Sequence, residues 1–454
     1  MTKSISFLLF VITLFYSEAA VSQTSIKVID NVLFYDGYNT LEKLAESIEP
    51  APEGVVRLKT SLCTTRLSTE QLAHFGDSIV MNILVEAACD NYDRIGNVNL
   101  ALVPKGQEIY NPDSVSRIEL GRFITPFMNK NINPKTVPYT FRVDYLSHIF
   151  KDKYLLEQYD LWIELDIFGV PYAANTQVSG CGGRSDVFYG SVEFVTANTV
   201  DVSDNNVLIP LFMQANFNNY SADATTEIGK TIRSASFKVD KNLSDAQFVL
   251  ITSNHGANSG GEEYNRRMHY VTFDNDTVLI YKPGRTSCEP FRKYNTQSNG
   301  IYGTSPKSDA AWQSFSNWCP GDVIDNRIIH LGELAAGDHN FTISVPEAIF
   351  NGAQGNFPLS LYLIGTTSGK ISGIEVSSGR NVDYVQIYPN PVKASFEINS
   401  NKQVKQVSVF DLSGALSVRN QGSVIDVSKL SDGIYTARIV FIDGSVKTQK
   451  IIKL

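Results

Sequence analysis

Leu161-Trp162-Ile163-Glu164-Leu165-Asp166-Ile167-Phe168 alternates aliphatic residues with aromatic and acidic ones without a break. Successive side chains of a strand point to opposite faces, so Leu161, Ile163, Leu165 and Ile167 share one face and Trp162, Glu164, Asp166 and Phe168 the other. The stretch predicts a strand with one side on a core. Most segments after residue 24 repeat this period of two and are punctuated by Gly, Asn, Asp and Pro, the pattern of antiparallel sheets. Many short strands at regular spacing imply sandwiches or jelly rolls. Helix signals are few: Ser68-Thr69-Glu70-Gln71 is a capping box before a short helix, and Val143 to Tyr159 holds room for one more.

The spacing divides the chain into a first β unit at 24–198, a second at 199–370, a linker at 371–381 within the Ser- and Gly-rich stretch Ser368 to Asn381, and a small β unit from 382 to 454. The 454 residues, 43% hydrophobic and 19% charged, suffice for two or three cores. A net charge of -8 excludes a basic footprint for nucleic acid and does not invite anionic membranes. At the start, Lys3, the apolar run Ile5 to Tyr16, and small Ala19, Ala20 and Ser22 read as a secretory signal peptide over 1–22. No other run approaches the ~20 apolar residues of a membrane span, so a protein outside the cytoplasm is expected, where disulfides are permitted. Of Cys63, Cys89, Cys181, Cys288 and Cys319 at least one stays unpaired within the chain. Cys288 with Cys319 is the expected pair, bracing the loop Glu289 to Trp318, and the pairing of the other three is open.

The last unit carries Ile387-Tyr388-Pro389-Asn390-Pro391, Val407 to Gly414, Leu430-Ser431-Asp432-Gly433-Ile434-Tyr435-Thr436 and Lys450 to Leu454 in order. It resembles the C-terminal sorting domain of the type IX secretion system of Bacteroidetes. The resemblance implies export by that machinery, and a secreted or surface-attached product.

Three segments carry chemistry. Cys89-Asp90-Asn91-Tyr92-Asp93-Arg94 sets two carboxylates and a guanidinium around a ring, which is a capped turn with an ion pair or part of a site. Glu164 and Asp166 lie on one strand face about 6.8 Å apart. With Trp162 and Phe168 beside them, that face is either solvated or a sugar cleft. Asn254 to His269 combines Gly256, Gly260 and Gly261 with Glu262, Glu263, Arg266, Arg267 and two histidines. If a strand begins at Glu263, then Glu263, Asn265, Arg267 and His269 share a face too polar for a core; an exposed edge strand is the alternative. No HExxH or paired-histidine spacing supports a metal, and no cofactor is expected. A nucleophile elbow and a P-loop are absent too. What remains is carboxylate chemistry, one acid protonating a leaving group while another orients water.

At Cys89 to Arg94, Leu120-Gly121-Arg122-Phe123-Ile124-Thr125-Pro126-Phe127, Glu262 to His269 and Trp318-Cys319-Pro320-Gly321 the chain resembles the peptide-N-glycosidase F family, bacterial amidases that remove N-glycans from asparagine. The resemblance spans roughly 24–370. It implies an all-β fold of two eight-stranded antiparallel jelly rolls side by side, followed here by the small β-sandwich, with the site between them. It implies Asp93 as the main catalytic acid, Arg94 as its substrate-orienting neighbour, and Glu263 as the acid of the second unit. A third acid is implied on the strand Trp162 to Phe168, Glu164 by residue type or Asp166 after a small shift. Tyr92 and Tyr264 stand where the family has tryptophans, His255 beside the cleft, Trp318 in the segment that lines the sugar site, and Cys288–Cys319 as a family bridge; Trp162, on the aromatic and acidic strand face, is the further candidate sugar contact. Partners would be N-glycosylated proteins or glycopeptides and the secretion machinery, with the protein a monomer. A carboxylate glycoside hydrolase and a non-catalytic glycan-binding module are the competing readings.

Overall fold

The computed structural model describes residues 23–198, 205–219, 228–257, 261–315, 317–350, 355–367, 385–388, 390–400 and 402–454. The expected signal peptide 1–22 and linker 371–381 lie outside these residues, as do Asn258, Ser259 and Gly260 of the glycine loop.

Leu161, Ile163, Leu165 and Ile167 are fully buried in strand Tyr159–Ile167. They face Ile79, Met81, Ile83 and Val85 of strand Ser78–Ala87 across the core of the first unit. At roughly 2 kcal/mol per large aliphatic side chain removed from water, such facing rows fix the register, since a slip of one residue would put Glu164 and Asp166 into the core. One sheet of this unit runs in the order Thr24–Tyr35, Asp186–Ala197, Ser78–Ala87, Thr136–Arg142. The other runs Ser116–Ile124, Ile95–Pro104, Tyr159–Ile167, Leu62–Arg66, Val55–Arg57. The second unit stacks two four-stranded sheets. One contains Leu243–Thr252 and Asn356–Thr367, the other Ile232–Val239, Gly337–Ser344 and His269–Phe273, around Phe248, Leu250, Phe341 and Leu361. The final unit is a sandwich of a three- and a four-stranded sheet around Val407, Val409, Ile425 and Ile439. The chain is all-β with antiparallel pairing throughout these sheets.

Ser68 and Gln71 form the reciprocal cap of helix Thr69–His74. The segment expected to hold one more helix holds two, Leu146–Phe150 and Lys153–Gln158, because the Asp152 side chain accepts the Leu155 amide at 2.9 Å and restarts the helix.

The first two units are joined through their sheets. Strand Val323–Ile324 of the second unit adds to the edge of Ser116–Ile124 of the first, pairing Val323 with Phe123 and Ile324 with Arg122. Beside this seam Glu119 and Arg122 are wholly buried and doubly hydrogen-bonded at 2.8 and 2.7 Å. Arg122 also donates to the Ser253 hydroxyl at 2.8 Å and the Pro358 carbonyl at 3.0 Å, and the Ser360 hydroxyl donates to Glu119. A buried ion pair with its lone pairs and protons taken up by both units leaves the units little freedom to slide, because any displacement would strand a charge.

Candidate active site

Strand Ser78–Ala87 ends just before Cys89, strand Ile95–Pro104 starts just after Arg94, and the block between crosses from one sheet to the other. It is tied at both ends. Cys89 is disulfide-bonded to Cys181, with Cα atoms 5.4 Å apart. The Arg94 amide and carbonyl both bond Thr125, at 2.8 Å each. Buried Asp90 accepts the amides of Tyr92 at 2.9 Å and Val170 at 2.6 Å and the Arg94 Nε at 2.6 Å. Asp90 is therefore the structural acid of the block, and the Arg94 guanidinium is held by it. Asp93 is left pointing at the space between the units. Burial, and after it the Glu263 charge, push its carboxyl up to about 8, against the pull of Arg94.

Glu263 reaches the same space from the second unit. Its segment is a turn, and the strand begins only at His269. The shared face expected for Glu263, Asn265, Arg267 and His269 does not form, because the backbone groups are satisfied elsewhere. Asn317 donates to the Glu262 and Glu263 carbonyls at 2.8 and 2.6 Å, Asn265 donates to the Gly261 carbonyl at 2.9 Å, and Glu262 is buried against Arg267. Glu263 accepts the Gly256 amide at 2.8 Å, where Gly256 has φ 128. That left-handed backbone suits glycine. Burial raises the Glu263 carboxyl above the usual range, opposed by this amide and by the Tyr264 hydroxyl.

Asp93 and Glu263, some 170 positions apart in the chain, line one cavity of 550 Å³ between the two units. Tyr92, Arg94, His255, Tyr264 and Trp318 line it as well. Tyr264 stacks on Phe315 with centroids 5.2 Å apart, and Trp318 lies 5.5 Å from the His255 ring with its indole N–H on the Asn254 carbonyl at 2.8 Å. Cys288–Cys319 is a disulfide and fixes the backbone next to Trp318, while Cys63 is free and buried.

The strand face of Trp162 and Glu164 lies elsewhere. Trp162 is buried against Tyr110, Ala101 and Val103, and Glu164 is buried on Arg117 at 2.6 Å with Tyr110 and Asn99 donating to it. Neither lines the cavity, so the sugar contact expected of Trp162 and the catalytic place expected of Glu164 are not met: Tyr110 and Arg117 cover this face. Phe168, further along the same face, does line it. Asp166, the acid next to Phe168 in that row, does not line the cavity either, so the substrate contact expected of it is not met; it is half-buried and pushed by burial up to about 6.

Sequence reasoning missed Tyr38, Phe127 and the wall Asn299-Gly300-Ile301. The wall belongs to the loop braced by Cys288–Cys319. It is tied to the first unit by Asn299 donating to Gln177 at 2.7 Å, the same oxygen that accepts from Asn91. His255 and His269 recruit no third ligand; among the described residues no cluster of three metal-ligating side chains forms.

Two stacked β units with a pair of acids facing each other over an aromatic-lined cleft define an all-β protein with a carboxylate site built at a domain seam. Comparison with known proteins narrows this. Residues 25–181 match the family "Peptide-N-glycosidase F, N terminal", and residues 219–364 match "Peptide-N-glycosidase F, C terminal". The chain belongs to the peptide-N-glycosidase F family. Residues 386–454 match "Secretion system C-terminal sorting domain", so the chain carries a sorting domain of the type IX secretion system. No curated relative matches. Among solved structures, PNGF-II is similar at 20% identity and a TM-score of 0.54, covering 76% of this chain and 65% of its own. The chain thus spans about two thirds of that protein. Recombinant peptide: N-glycanase F is 16% identical, with 77% and 97% covered and a TM-score of 0.49. PNGase F of Flavobacterium meningosepticum, described as a glycosylasparaginase, is 14% identical, with 78% and 98% covered and a TM-score of 0.49. Among the described residues no helix is long and apolar enough to cross a membrane.

Proposed function

We propose that the protein is a secreted amidohydrolase that cleaves the amide between the innermost N-acetylglucosamine and the asparagine side chain of glycoproteins or glycopeptides. The reading rests on one observation: Asp93 and Glu263 converge from two separate units on one cavity, where the Glu263 charge adds to the burial that raises the Asp93 carboxyl. An amide is a weak electrophile with a poor leaving group, so a site must position water, stabilise the oxyanion and protonate the departing nitrogen. Two carboxyls sharing a poorly solvated cleft do not both ionise at neutral pH, which leaves one as a proton donor and one as an acceptor.

With its carboxyl near 8, Asp93 holds the proton and delivers it at the amide nitrogen. Glu263, held by the Gly256 amide, orients the attacking water or the sugar. Arg94, fixed by Asp90, lines the cavity next to Asp93 and orients the substrate, and Asp166, which does not itself line the cavity, acts as a supporting acid two residues from Phe168 of its wall. Tyr92, Tyr264, His255 and Trp318 form the walls that hold the glycosylated side chain. Water adds to the amide carbonyl, the C–N bond breaks, and the products are aspartate in the peptide and a glycosylamine that loses ammonia in water. The sorting domain supports delivery outside the cell or to its surface, where glycoproteins are met.

The test is product mass. Incubation of the mature protein with a glycopeptide should release the whole glycan and leave a peptide about one mass unit heavier than its asparagine form, because Asn has become Asp. A peptide retaining one sugar would establish a glycoside hydrolase instead, and tight binding without turnover would leave a glycan-binding module.

A further inference from the structure

His255 lines the cleft, and its ring is coupled through Ser253 to the charged seam that joins the two units. The chain of contacts runs from Glu119 through Arg122 to the Ser253 hydroxyl, and from that hydroxyl to His255 Nε2 at 2.8 Å. We infer that Ser253, oriented by Arg122, is a positioning residue that locks His255 into the neutral tautomer with its proton on Nδ1, so that the cleft is presented with a fixed N–H donor.

Arg122 is a donor only and occupies a lone pair of the Ser253 oxygen at 2.8 Å. Ser253 is buried, and its hydroxyl has Arg122 and His255 as its partners. The serine proton therefore has one acceptor within reach among the described residues, His255 Nε2, and that nitrogen must be bare to accept it. The ring is kept neutral by its buried setting and by the Arg122 charge behind the serine. A neutral imidazole with a bare Nε2 carries its proton on Nδ1. His255 lines the cavity, and its Nδ1 takes no partner among the described residues, which leaves that N–H for the cleft. Glu119 completes the device. Its two oxygens hold Arg122 Nε and Nη2, which leaves Nη1 aimed at Ser253 and the Pro358 carbonyl.

What the N–H donates to rests on the amidase reading: it is a preorganised donor for the amide oxygen as negative charge develops there. The tautomer itself does not rest on that reading, and the experiment separates the two. The mature protein is labelled with 15N in its histidines, and the His255 ring nitrogens are assigned by their loss in a His255→Gln protein. Long-range nitrogen spectra then show which nitrogen carries the proton. A neutral ring protonated on Nδ1 is expected; a proton on Nε2, or a mixture of the two, overturns the inference. Ser253→Ala should mix the tautomers and lower kcat on a glycopeptide by about five- to tenfold, the worth of one hydrogen bond, with KM nearly unchanged. Ser253→Thr, which keeps the hydroxyl, should retain both tautomer and rate. Full turnover in Ser253→Ala would overturn the positioning role. If alanine prevents folding, the spectrum of the unsubstituted protein and the Ser253→Thr rate still decide it. A wild-type protein that turns over no glycopeptide would end the amidase reading and leave the spectra to judge the tautomer.

Discussion

Replacing Asp93 by asparagine removes a carboxyl that the fold holds at a cost, so the variant should lose turnover and gain stability. The carboxyl moves from 3.8 in the unfolded chain to about 8 in the folded one. At about 1.4 kcal/mol per pH unit this sets a ceiling near 6 kcal/mol. The side chain is only half-buried, and solvent screening of its exposed part leaves roughly 2 kcal/mol as the expected effect. The sign follows from proton counting. Below the unfolded value both states hold the proton and asparagine has no advantage. As pH rises from 3.8 towards about 8 the unfolded chain has released its proton while the folded one retains it, so wild-type stability falls across that window. The Asp93→Asn protein carries no such linkage. Scanning calorimetry of the mature protein should therefore find the variant's midpoint higher by roughly 4 °C at about pH 7.5, and level with wild type near pH 4. A variant less stable than wild type at neutral pH, or a difference that does not change with pH, would refute the account of Asp93 as a buried, protonated acid.

The same carboxyl sets the pH profile of the proposed reaction: kcat/KM should fall as pH rises through about 8, where Asp93 loses its proton, and a flat alkaline limb would remove Asp93 as donor. Glu164→Gln should leave the glycopeptide kcat within about twofold of wild type but destabilise the fold by about 3 kcal/mol, since Arg117 would lose a fully buried partner. Asp166→Asn should do the reverse, and kinetics with thermal melts on both variants would expose a wrong choice of third acid. Opening Cys288–Cys319 by a double alanine substitution releases a loop with a sequence separation of 31, worth about 4 kcal/mol, and loosens Trp318. Denaturant melts followed by tryptophan fluorescence should show both effects.

The strand at Leu161 was legible because its four aliphatic side chains repeat at the period of a pleated sheet and all four fill one core. The Thr69–His74 helix was legible because a capping box is local chemistry. What escaped depended on distance along the chain. Period two assigns Trp162 and Glu164 to the outer face but cannot say that Arg117, 47 positions away, covers that face and turns Glu164 into an ion-pair partner. Glu263 reads as a strand start by alternation alone, and it is Asn317, 54 positions on, that takes its carbonyl and holds the segment in a turn. The cleft wall at Asn299 was invisible for the same reason, since its place depends on Gln177 in the other unit. The roles of Asp93 and Glu263 in one site came from a resemblance to a family; read alone, the Cys89 to Arg94 block was compatible with an ordinary capped turn and the Glu263 block with an exposed edge strand.

The seam between the units explains how acids from two separate folds can be held to a tolerance that chemistry demands. A hinged pair of domains would let the cleft breathe and rehydrate both carboxyls, and hydration would return Asp93 towards its ordinary range. Here the first core takes in Leu208, Val249, Tyr362 and Ile364 from the second unit. Ile124 of the first unit packs with Ile251, Trp318 and Ile324 of the second. The strand carrying Ile324 is hydrogen-bonded to the strand carrying Arg122, and Arg122 bonds the serine beneath His255. The contacts that fuse the sheets are thus the contacts that orient the cleft side chains. Loosening the seam should therefore cost function together with part of the first unit's core, because Leu208, Val249, Tyr362 and Ile364 fill that core and the placement of Asp93 against Glu263 exists only while the two stacks remain locked.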